Sequence, residues 1–401
     1  MKYFFVPKFN FNHFLFLSYF IVNIIREIFK YLNKSTEDIA KNFHFNYISS
    51  FSDLLSIIPV LIIKYRSKSL KINEDKKDNL KDSNLIYNDI NIENENAKAR
   101  KVIKLLIIIS FIKFLAQYAY IIILLFCGEI YYSVKKFNLN FLLIVNIVSQ
   151  YVSSHLILHL RFYRHHYLSL FINLIFLIIL VIKDIIEINK IESEPIAKFL
   201  YILSRIVVII FYSIEDSLAK IVLTYNSVST YSFLLFRGIF VSFLGILFSI
   251  VFIFIDLPDE NNENSCVFTR FWKLYENKLY ILLYMGLLII NFLYNVNIFF
   301  IIDRFSPNHL GMTLTIGNLG SLLNSLIIYR NIEISEFFLR LGISFILIIA
   351  SLIHNEFIIL NFFNLQKRTK VFLEKEAEID INQKDKYNDI DDLKIDIDIN
   401  D

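Results

Sequence analysis

Long apolar segments recur along the whole chain and are separated by shorter polar connections. About ten of them approach the 20 residues that a helix needs to cross a bilayer, where lipid offers no hydrogen-bond partner to a bare backbone. These segments are 12–28, 43–63, 105–127, 139–158, 167–182, 199–222, 231–255, 279–301, 308–329 and 337–360. The pattern predicts an all-α polytopic membrane protein with about ten transmembrane helices.

The composition agrees with a membrane location. Hydrophobic residues make up 56% of the 401 residues, and the mean hydropathy of +0.52 lies well above that of a soluble domain. The net charge of +3 is too small to indicate a nucleic-acid partner. The two cysteines, Cys127 and Cys266, make no disulfide framework. The lipid bilayer is therefore the first partner that the sequence predicts.

Polar stretches divide the chain into five parts. Residues 1–63 hold the first two spans, 105–182 hold spans three to five, and 199–360 hold the second five spans. The segments 64–104 and 361–401 are rich in Asn, Lys, Asp and Glu and have too little apolar surface to offset the entropy of ordering. We expect both to be disordered, one as a cytosolic linker and the other as a cytosolic tail.

The basic residues predict the orientation of the spans. Lys and Arg accumulate in the linker, in the loop after the fourth span and just after the tenth, and such loops face the cytosol. Both termini are then cytosolic. Five spans in each half is an odd number, so the second half lies upside down relative to the first. We therefore expect two inverted five-helix repeats, an arrangement common among secondary transporters.

Charged residues are concentrated in the sixth span. Asp216 and Lys220 stand one helical turn apart and can pair on one face, which Tyr212 extends, whereas Glu215 faces elsewhere. One interpretation is a cavity-lining stripe that meets an ionised substrate. The other is a structural pair near the cytosolic end of the span.

Two further cations lie in other spans. Arg237, near the start of the seventh span, can reach Asp216 and Glu215, bind a phosphate or carboxylate in bidentate fashion, or simply mark the membrane interface. Lys113 lies deep in the third span and is a candidate counter-charge for Glu215 or for a substrate.

The ninth span, 308–329, contains three of the eight glycines and many small polar residues. Small residues permit a close helix–helix contact, which is one interpretation of this segment. The other is that Asn318, Ser321 and Asn324 line a translocation path. Asn295 in the eighth span adds an amide to the same candidate set.

Two histidines near the end of the fourth span have a spacing that can hold a metal. His155 and His159 are four residues apart, but the neighbouring spans offer no further histidine box or carboxylate set beside them. An interfacial polar cluster is the preferred interpretation, so we predict no metal and no cofactor. Motifs of the common catalytic families are absent from the sequence, and the chain is not expected to be an enzyme.

The layout and three segments resemble the drug/metabolite transporter superfamily, and within it the nucleotide-sugar-transporter-like solute carriers. The segments are Ser213–Lys220, Phe236-Arg-Gly238 and Asp303–Leu310, the last opening the small-residue ninth span. The resemblance implies alternating-access transport of a small polar metabolite, with the fourth and ninth helices beside the central cavity. It also implies a Golgi, ER or other endomembrane location.

We therefore expect a multi-pass secondary transporter for a small polar metabolite, such as a nucleotide sugar or a similar anion. The expected substrate contacts are Asp216, Lys220, Arg237, Asn318, Ser321, Asn324, Asn295 and Lys113, and the expected gating or ion-pair residues are Glu215, Tyr212, Asp303 and Arg304. The alternative is a non-transporting membrane receptor or scaffold that recruits partners through its linker and tail. A homodimer is compatible with both functions.

Overall fold

The computed structural model describes residues 4–5, 11–32, 50–75, 99–119, 141–160, 162–189, 195–252, 256–257, 265–266, 278–314, 334–360 and 369. Within these ranges the chain is helical except for connecting turns and two antiparallel pairs of two-residue strands. The pairs join β1 (Phe4–Phe5) to β4 (Ile359–Leu360) and β2 (Asp256–Leu257) to β3 (Ser265–Cys266). The predicted all-α class is confirmed at this level.

Ten helices of the described residues overlap the predicted spans in order, α2 and α9 only in part, so helix and span share a number. They are α1 (Phe11–Leu32), α2 (Ile57–Asp75), α3 (Ala99–Ala119), α4 (Phe141–Leu158), α5 (Arg164–Asn189), α6 (Pro195–Lys220), α7 (Thr230–Phe252), α8 (Lys278–Arg304), α9 (Pro307–Leu314) and α10 (Ile334–His354). Helix α6 continues into a π-helical turn, Ile221–Tyr225. Helix α9 covers only the start of the predicted ninth span, and the rest of that span lies outside the described residues.

Five helices in the described part of the chain are long and apolar enough to cross a membrane, judged by length and composition. They are Ala99–Ala119, Phe141–Leu158, Arg164–Ile182, Thr230–Ile250 and Ile281–Arg304. Phe14–Arg26 and Phe338–His354 are shorter apolar helices. These helices are consistent with a multi-pass membrane protein, while the count of ten spans and the inverted repeat stay predictions.

The second predicted span is interrupted. A helical turn at 50–54 is followed by a two-residue turn at 55–56, and only then does α2 begin. Pro59 explains the break, because its ring nitrogen has no hydrogen to bond the carbonyl of Leu55, four residues earlier. The prediction of one continuous helix over 43–63 is wrong at this point.

The predicted linker is shorter than expected at both ends. Helix α2 runs on to Asp75, and α3 already starts at Ala99, so residues 64–75 and 99–104 are helical rather than disordered. Extending an existing helix is far easier than nucleating one, and the Lys, Arg and Leu residues there are good helix formers.

The surface of the bundle is apolar and much of its interior is polar. Large exposed side chains include Ile58, Leu61 and Ile62 on α2, Phe171, Ile178 and Ile182 on α5, and Phe243, Ile246 and Ile250 on α7. Buried polar side chains include Gln150, Asn173, Arg237 and Asn291. This inversion suits a protein surrounded by lipid, where the exterior needs no water contact and polar groups find partners inside.

Several helix pairs form the framework that positions the interior groups. Helix α1 packs on α8, α4 on α6, and α5 on α10, while α2 contacts α7 and α9 contacts α4. An aromatic and aliphatic core around Phe233, Phe299 and Ile302 joins α7 to α8. The β1–β4 pair brings residues 4–5 to the end of the bundle where α10 finishes.

Gly245 provides a test of how tightly α3 and α7 pack. A Cβ at this position would overlap the hydroxyl of Tyr118, whose ring is held between Phe114 and Phe248. We predict that Gly245→Ala lowers the melting temperature of the purified protein, since overpacking a close contact costs about 1–3 kcal/mol.

The matched control is Gly342→Ala, which is exposed on α10 and would meet no atom within 4 Å. That variant should melt at or slightly above the wild-type temperature, because alanine is the better helix former. Equal melting temperatures for the two variants would contradict the described α3–α7 contact.

Candidate functional site

Arg237 lies at the centre of a buried charge network. Its side chain is 1% exposed, Nε donates to Oδ2 of Asp53 at 2.8 Å, and Nη1 donates to Oε1 of Glu215 at 2.6 Å. The guanidinium carbon also lies 4.5 Å from the centre of the Phe299 ring. One permanent cation is therefore neutralised by two carboxylates, one on α6 and one in the helical turn before α2.

Asp53 is fixed from two further directions. Its second carboxylate oxygen accepts a hydrogen bond of 2.7 Å from Nδ2 of Asn295 on α8. On the other side, Gly238 faces it from α7, where an added Cβ would lie 2.8 Å from the Cβ of Asp53. A larger residue at 238 would push the turn away, so the glycine beside Arg237 is what lets the ion pair close.

Lys113 is the cation of the network that is held least firmly. Its Nζ lies 3.7 Å from Oε2 of Glu215 and 4.5 Å from the centre of the Tyr212 ring, and its side chain is 12% exposed. Oε2 of Glu215 has no hydrogen-bond partner among the described residues. The two groups attract each other without forming a close hydrogen bond, so Lys113 is the cation best able to turn towards another anion.

A second polar seam joins α4 to α6. Gln150 Nε2 donates to Oδ2 of Asp216 at 2.7 Å, and the hydroxyls of Ser149 and Ser213 lie 2.6 Å apart. Gly311 of α9 packs against Gln150, since its Cβ would lie 3.2 Å from the Cγ of that residue. The seam thus carries an acidic side chain, Asp216, that is turned towards α4 and away from Lys220.

The predicted pairing of Asp216 with Lys220 is therefore wrong. Lys220 Nζ donates instead to the backbone carbonyl of Asp303 at 2.6 Å, and Thr224 Oγ1 donates to the carboxylate of Asp303 at 3.0 Å. The last carbonyls of a helix have no partner within it, and a lysine from a neighbouring helix end satisfies one of them here. Lys220 and Asp303 therefore join the ends of α6 and α8, where the exposed Arg304 also lies.

The histidines converge differently from the sequence expectation. His155 and His159, the pair noted at the end of α4, are both exposed. His166, His309 and His354 instead meet from three separate helices, and one ring nitrogen of each lies within 4.8 Å of the others. The sequence did not indicate this association, because His309 and His354 lie 143 and 188 positions after His166 along the chain.

The structure brings five of the predicted residues into the network around Arg237. They are Arg237, Glu215, Lys113, Tyr212 and Asn295. The predicted contacts of Glu215 with Arg237 and with Lys113 are confirmed as contacts, whereas the roles proposed for these residues stay predictions. Asn318, Ser321 and Asn324 lie outside the described residues.

Asp53 is the main residue that sequence reasoning missed. It is the lone acidic residue in the apolar segment 43–63, and a carboxylate inside a predicted span usually has a partner in the bundle. The sequence therefore contained a signal that Asp53 has a partner inside the bundle. Gln150, an amide in the middle of the fourth span, was a weaker signal of the same kind.

No protein-family model matches this chain, and no curated protein matches it either. The site must therefore be interpreted from its own geometry. Five elements contribute to it: the turn at 50–54, α3, α6, α7 and α8. They place a compensated set of charges at a depth where an apolar bundle ordinarily has none.

Removing the central cation should destabilise the whole bundle. We predict that Arg237→Gln lowers the free energy of unfolding by about 3–5 kcal/mol, because two buried carboxylates lose their partner. Thermal or denaturant unfolding of the detergent-purified protein measures this. Adding Asp53→Asn and Glu215→Gln to the same variant should recover part of the loss.

Arg66→Gln is the control, since Arg66 is exposed on α2 and undergoes the same chemical change. It should leave the stability within about 0.5 kcal/mol of wild type. An Arg237→Gln protein as stable as the Arg66→Gln protein would contradict the described network.

Proposed function

We propose that the protein is a secondary transporter that moves a small polar solute across a membrane by alternating access of two five-helix halves. The observation that carries this proposal is the buried charge network, because it is shared between the halves. Asp53 and Lys113 belong to the first half, and Arg237 and Glu215 belong to the second. Ionisable groups inside a membrane bundle are costly and mark solute or ion pathways.

Ion pairs and hydrogen bonds cross from one half to the other in this network. The ion pairs of Asp53 with Arg237 and of Lys113 with Glu215 are accompanied by the Gln150–Asp216 hydrogen bond in the α4–α6 seam. Polar groups at such an interface can exchange one partner for another when two rigid halves shift. Apolar residues of both halves also share one core, which includes Ile109 and Phe299, so the support for movement comes from the polar part of the interface alone.

The helix packing supports an inverted repeat. In such a repeat, span n of the first half corresponds to span n + 5 of the second. If each helix is replaced by its counterpart in the other half, the contacts α2–α7, α4–α9 and α5–α10 stay the same, and α1–α8 becomes α3–α6. The structure contains the first four pairs as direct helix contacts, and the Lys113–Glu215 ion pair joins α3 to α6. These pairs fit a pseudo-two-fold axis in the membrane plane, whereas the extensive α4–α6 contact has no comparable α1–α9 counterpart among the described residues.

Two irregular helices lie beside the polar groups. The turn at 55–56 interrupts the second span directly after Asp53, and the π-helical turn Ile221–Tyr225 follows Lys220. Broken helices expose backbone carbonyls and N–H groups to a solute, and π-turns are frequent at functional sites. Their positions add support to a binding region between the halves.

The charges indicate the class of solute. Arg237 is held by ion pairs with two carboxylates, whereas Lys113 lies farther from Glu215 and is partly exposed. A phosphate or carboxylate would compete with Glu215 for Lys113. This favours an anionic metabolite such as a nucleotide sugar, which agrees with the solute-carrier resemblance. We also propose an endomembrane location and cytosolic termini, on the positive-inside pattern and the same resemblance.

Locking the halves together tests alternating access. In a background with Cys127→Ser and Cys266→Ser, Ser149→Cys with Ser213→Cys should form a disulfide, because the two hydroxyls lie 2.6 Å apart. We predict that oxidation abolishes uptake into proteoliposomes and that reduction restores it. The solute for this uptake assay is chosen from nucleotide sugars, nucleotides, sugar phosphates and amino acids. It is the compound that most raises the melting temperature of the purified protein.

The control is Ser229→Cys with Ser232→Cys, whose hydroxyls lie 2.8 Å apart within the second half. Its disulfide should leave uptake unchanged. Full uptake with the Ser149–Ser213 pair completely oxidised would contradict movement across this seam. If no compound binds and none is taken up by the wild type, the receptor or scaffold alternative is favoured instead.

Lys113 can be tested separately. We predict that Lys113→Gln raises the KM for an anionic solute by about 10-fold or more, since a hydrogen bond to a charged group contributes about 1.5–3 kcal/mol. Lys104→Gln, an exposed change on the same helix, should leave the KM unaltered. Equal KM values for the two variants would remove Lys113 from the binding site.

A further inference from the structure

Three histidine rings meet where three helices begin or end. His166 is in the first turn of α5, His309 is in α9, and His354 is the last residue of α10. The ring centres of His166 and His354 are 4.6 Å apart, and that of His309 lies 5.0 Å from His354. His354 is completely buried and His166 nearly so.

The hydrogen bonds of His354 determine which of its nitrogens can bind a ligand. The hydroxyl of Ser169 already donates to the carbonyl of His166 at 2.8 Å, so it accepts from His354 Nδ1 at 3.0 Å. Tyr151 Oη lies 3.1 Å from the same nitrogen. In the tautomer with the proton on Nδ1, Nε2 presents a buried lone pair with no partner among the described residues.

The ring of His309 is held in a similar way, whereas the ring of His166 accepts a hydrogen bond at Nδ1. Ser306 Oγ lies 2.7 Å from Nδ1 of His309, which leaves the opposite nitrogen for a ligand when Nδ1 donates. His166 Nδ1 receives the Tyr163 backbone N–H over a long 3.3 Å, and its Nε2 is buried without a partner. Binding through this Nε2 would displace its proton and that long hydrogen bond. Metal-ligating histidines characteristically have their second nitrogen engaged by such outer groups.

A carboxylate completes the set. Glu356 and His165 each bring a ligand atom within 4.8 Å of one on His166, and Glu356 Oε1 lies 3.4 Å from Nε2 of His165. Glu356 also adopts a left-handed backbone with φ 59°, a costly conformation for a side-chain-bearing residue. The cluster therefore contains four imidazoles and an adjacent acid, and the positive charge of Lys220 acts on His309.

We propose that His166, His309 and His354 bind a Zn²⁺ ion, with Glu356 as its nearby negative charge. Neutral imidazole nitrogens are ligands for borderline metals such as Zn²⁺, and three histidines leave a fourth position open. Bonds of about 2.0–2.1 Å in a tetrahedral site place ligand nitrogens about 3.4 Å apart, so ring nitrogens that lie within 4.8 Å of one another need to approach by at most about 1.4 Å. Without a metal, Nε2 of His166 and Nε2 of His354 are buried with no hydrogen-bond partner among the described residues, which is unfavourable.

Metal binding by the purified full-length protein tests this inference without reference to transport. The protein, isolated through a tag without histidine and stripped with a chelator, is titrated with Zn²⁺ by calorimetry and with Co²⁺ by visible absorption. We expect one ion per chain and a tetrahedral Co²⁺ spectrum that Zn²⁺ abolishes. His309→Gln should weaken binding by more than about 100-fold, and Ser169→Ala by about 10–100-fold as an outer partner is lost.

His155→Gln is the control, an exposed histidine on α4 that should bind Zn²⁺ like the wild type. Metal-free His309→Gln should melt near the wild-type temperature, because this ring is only half buried, and Zn²⁺ should raise the melting temperature of wild type alone. Absence of binding by wild type, or equal affinity in wild type and His309→Gln, would overturn the proposal.

Discussion

A guanidinium cannot shed its proton inside a protein, so a buried arginine must be surrounded by acceptors. Arg237 imposes this requirement on its neighbours. The turn carrying Asp53, the face of α6 that presents Glu215 and the amide of Asn295 all meet around one side chain. The break that Pro59 causes before α2 ends the helical turn that carries this carboxylate. Arg237 thus links the turn at 50–54 to α6.

The interior holds two polar layers of different chemistry. One is ionic and lies within the spans around Arg237, and the other is imidazole-rich and lies where α5 begins and α10 ends. In the first layer the contacts range from the short Arg237–Glu215 hydrogen bond to the longer Lys113–Glu215 approach. In the second layer hydroxyl groups hold the rings of His354 and His309, and a backbone N–H donates to the ring of His166.

Helix positions were predictable because the length of an apolar segment is a local property that the bilayer imposes. Contact partners were not, because they depend on how distant segments fold together. Asp216 and Lys220 satisfy a helical spacing rule, yet each side chain finds a better partner on another helix. His155 and His159 likewise have a ligand spacing and remain exposed. Asp53 was detectable in sequence as an isolated carboxylate, but nothing local identified Arg237 as the residue that neutralises it.

The distance of Arg237 from Asp53 along the chain affects how the protein is made. The two residues are separated by 184 positions, so the ribosome synthesises the carboxylate long before its partner. At about 5–20 residues per second, the wait is roughly 10–40 s. During that interval Asp53 has no guanidinium partner. A chain whose synthesis stops before α7 therefore carries a carboxylate that the complete protein pairs with Arg237 and buries.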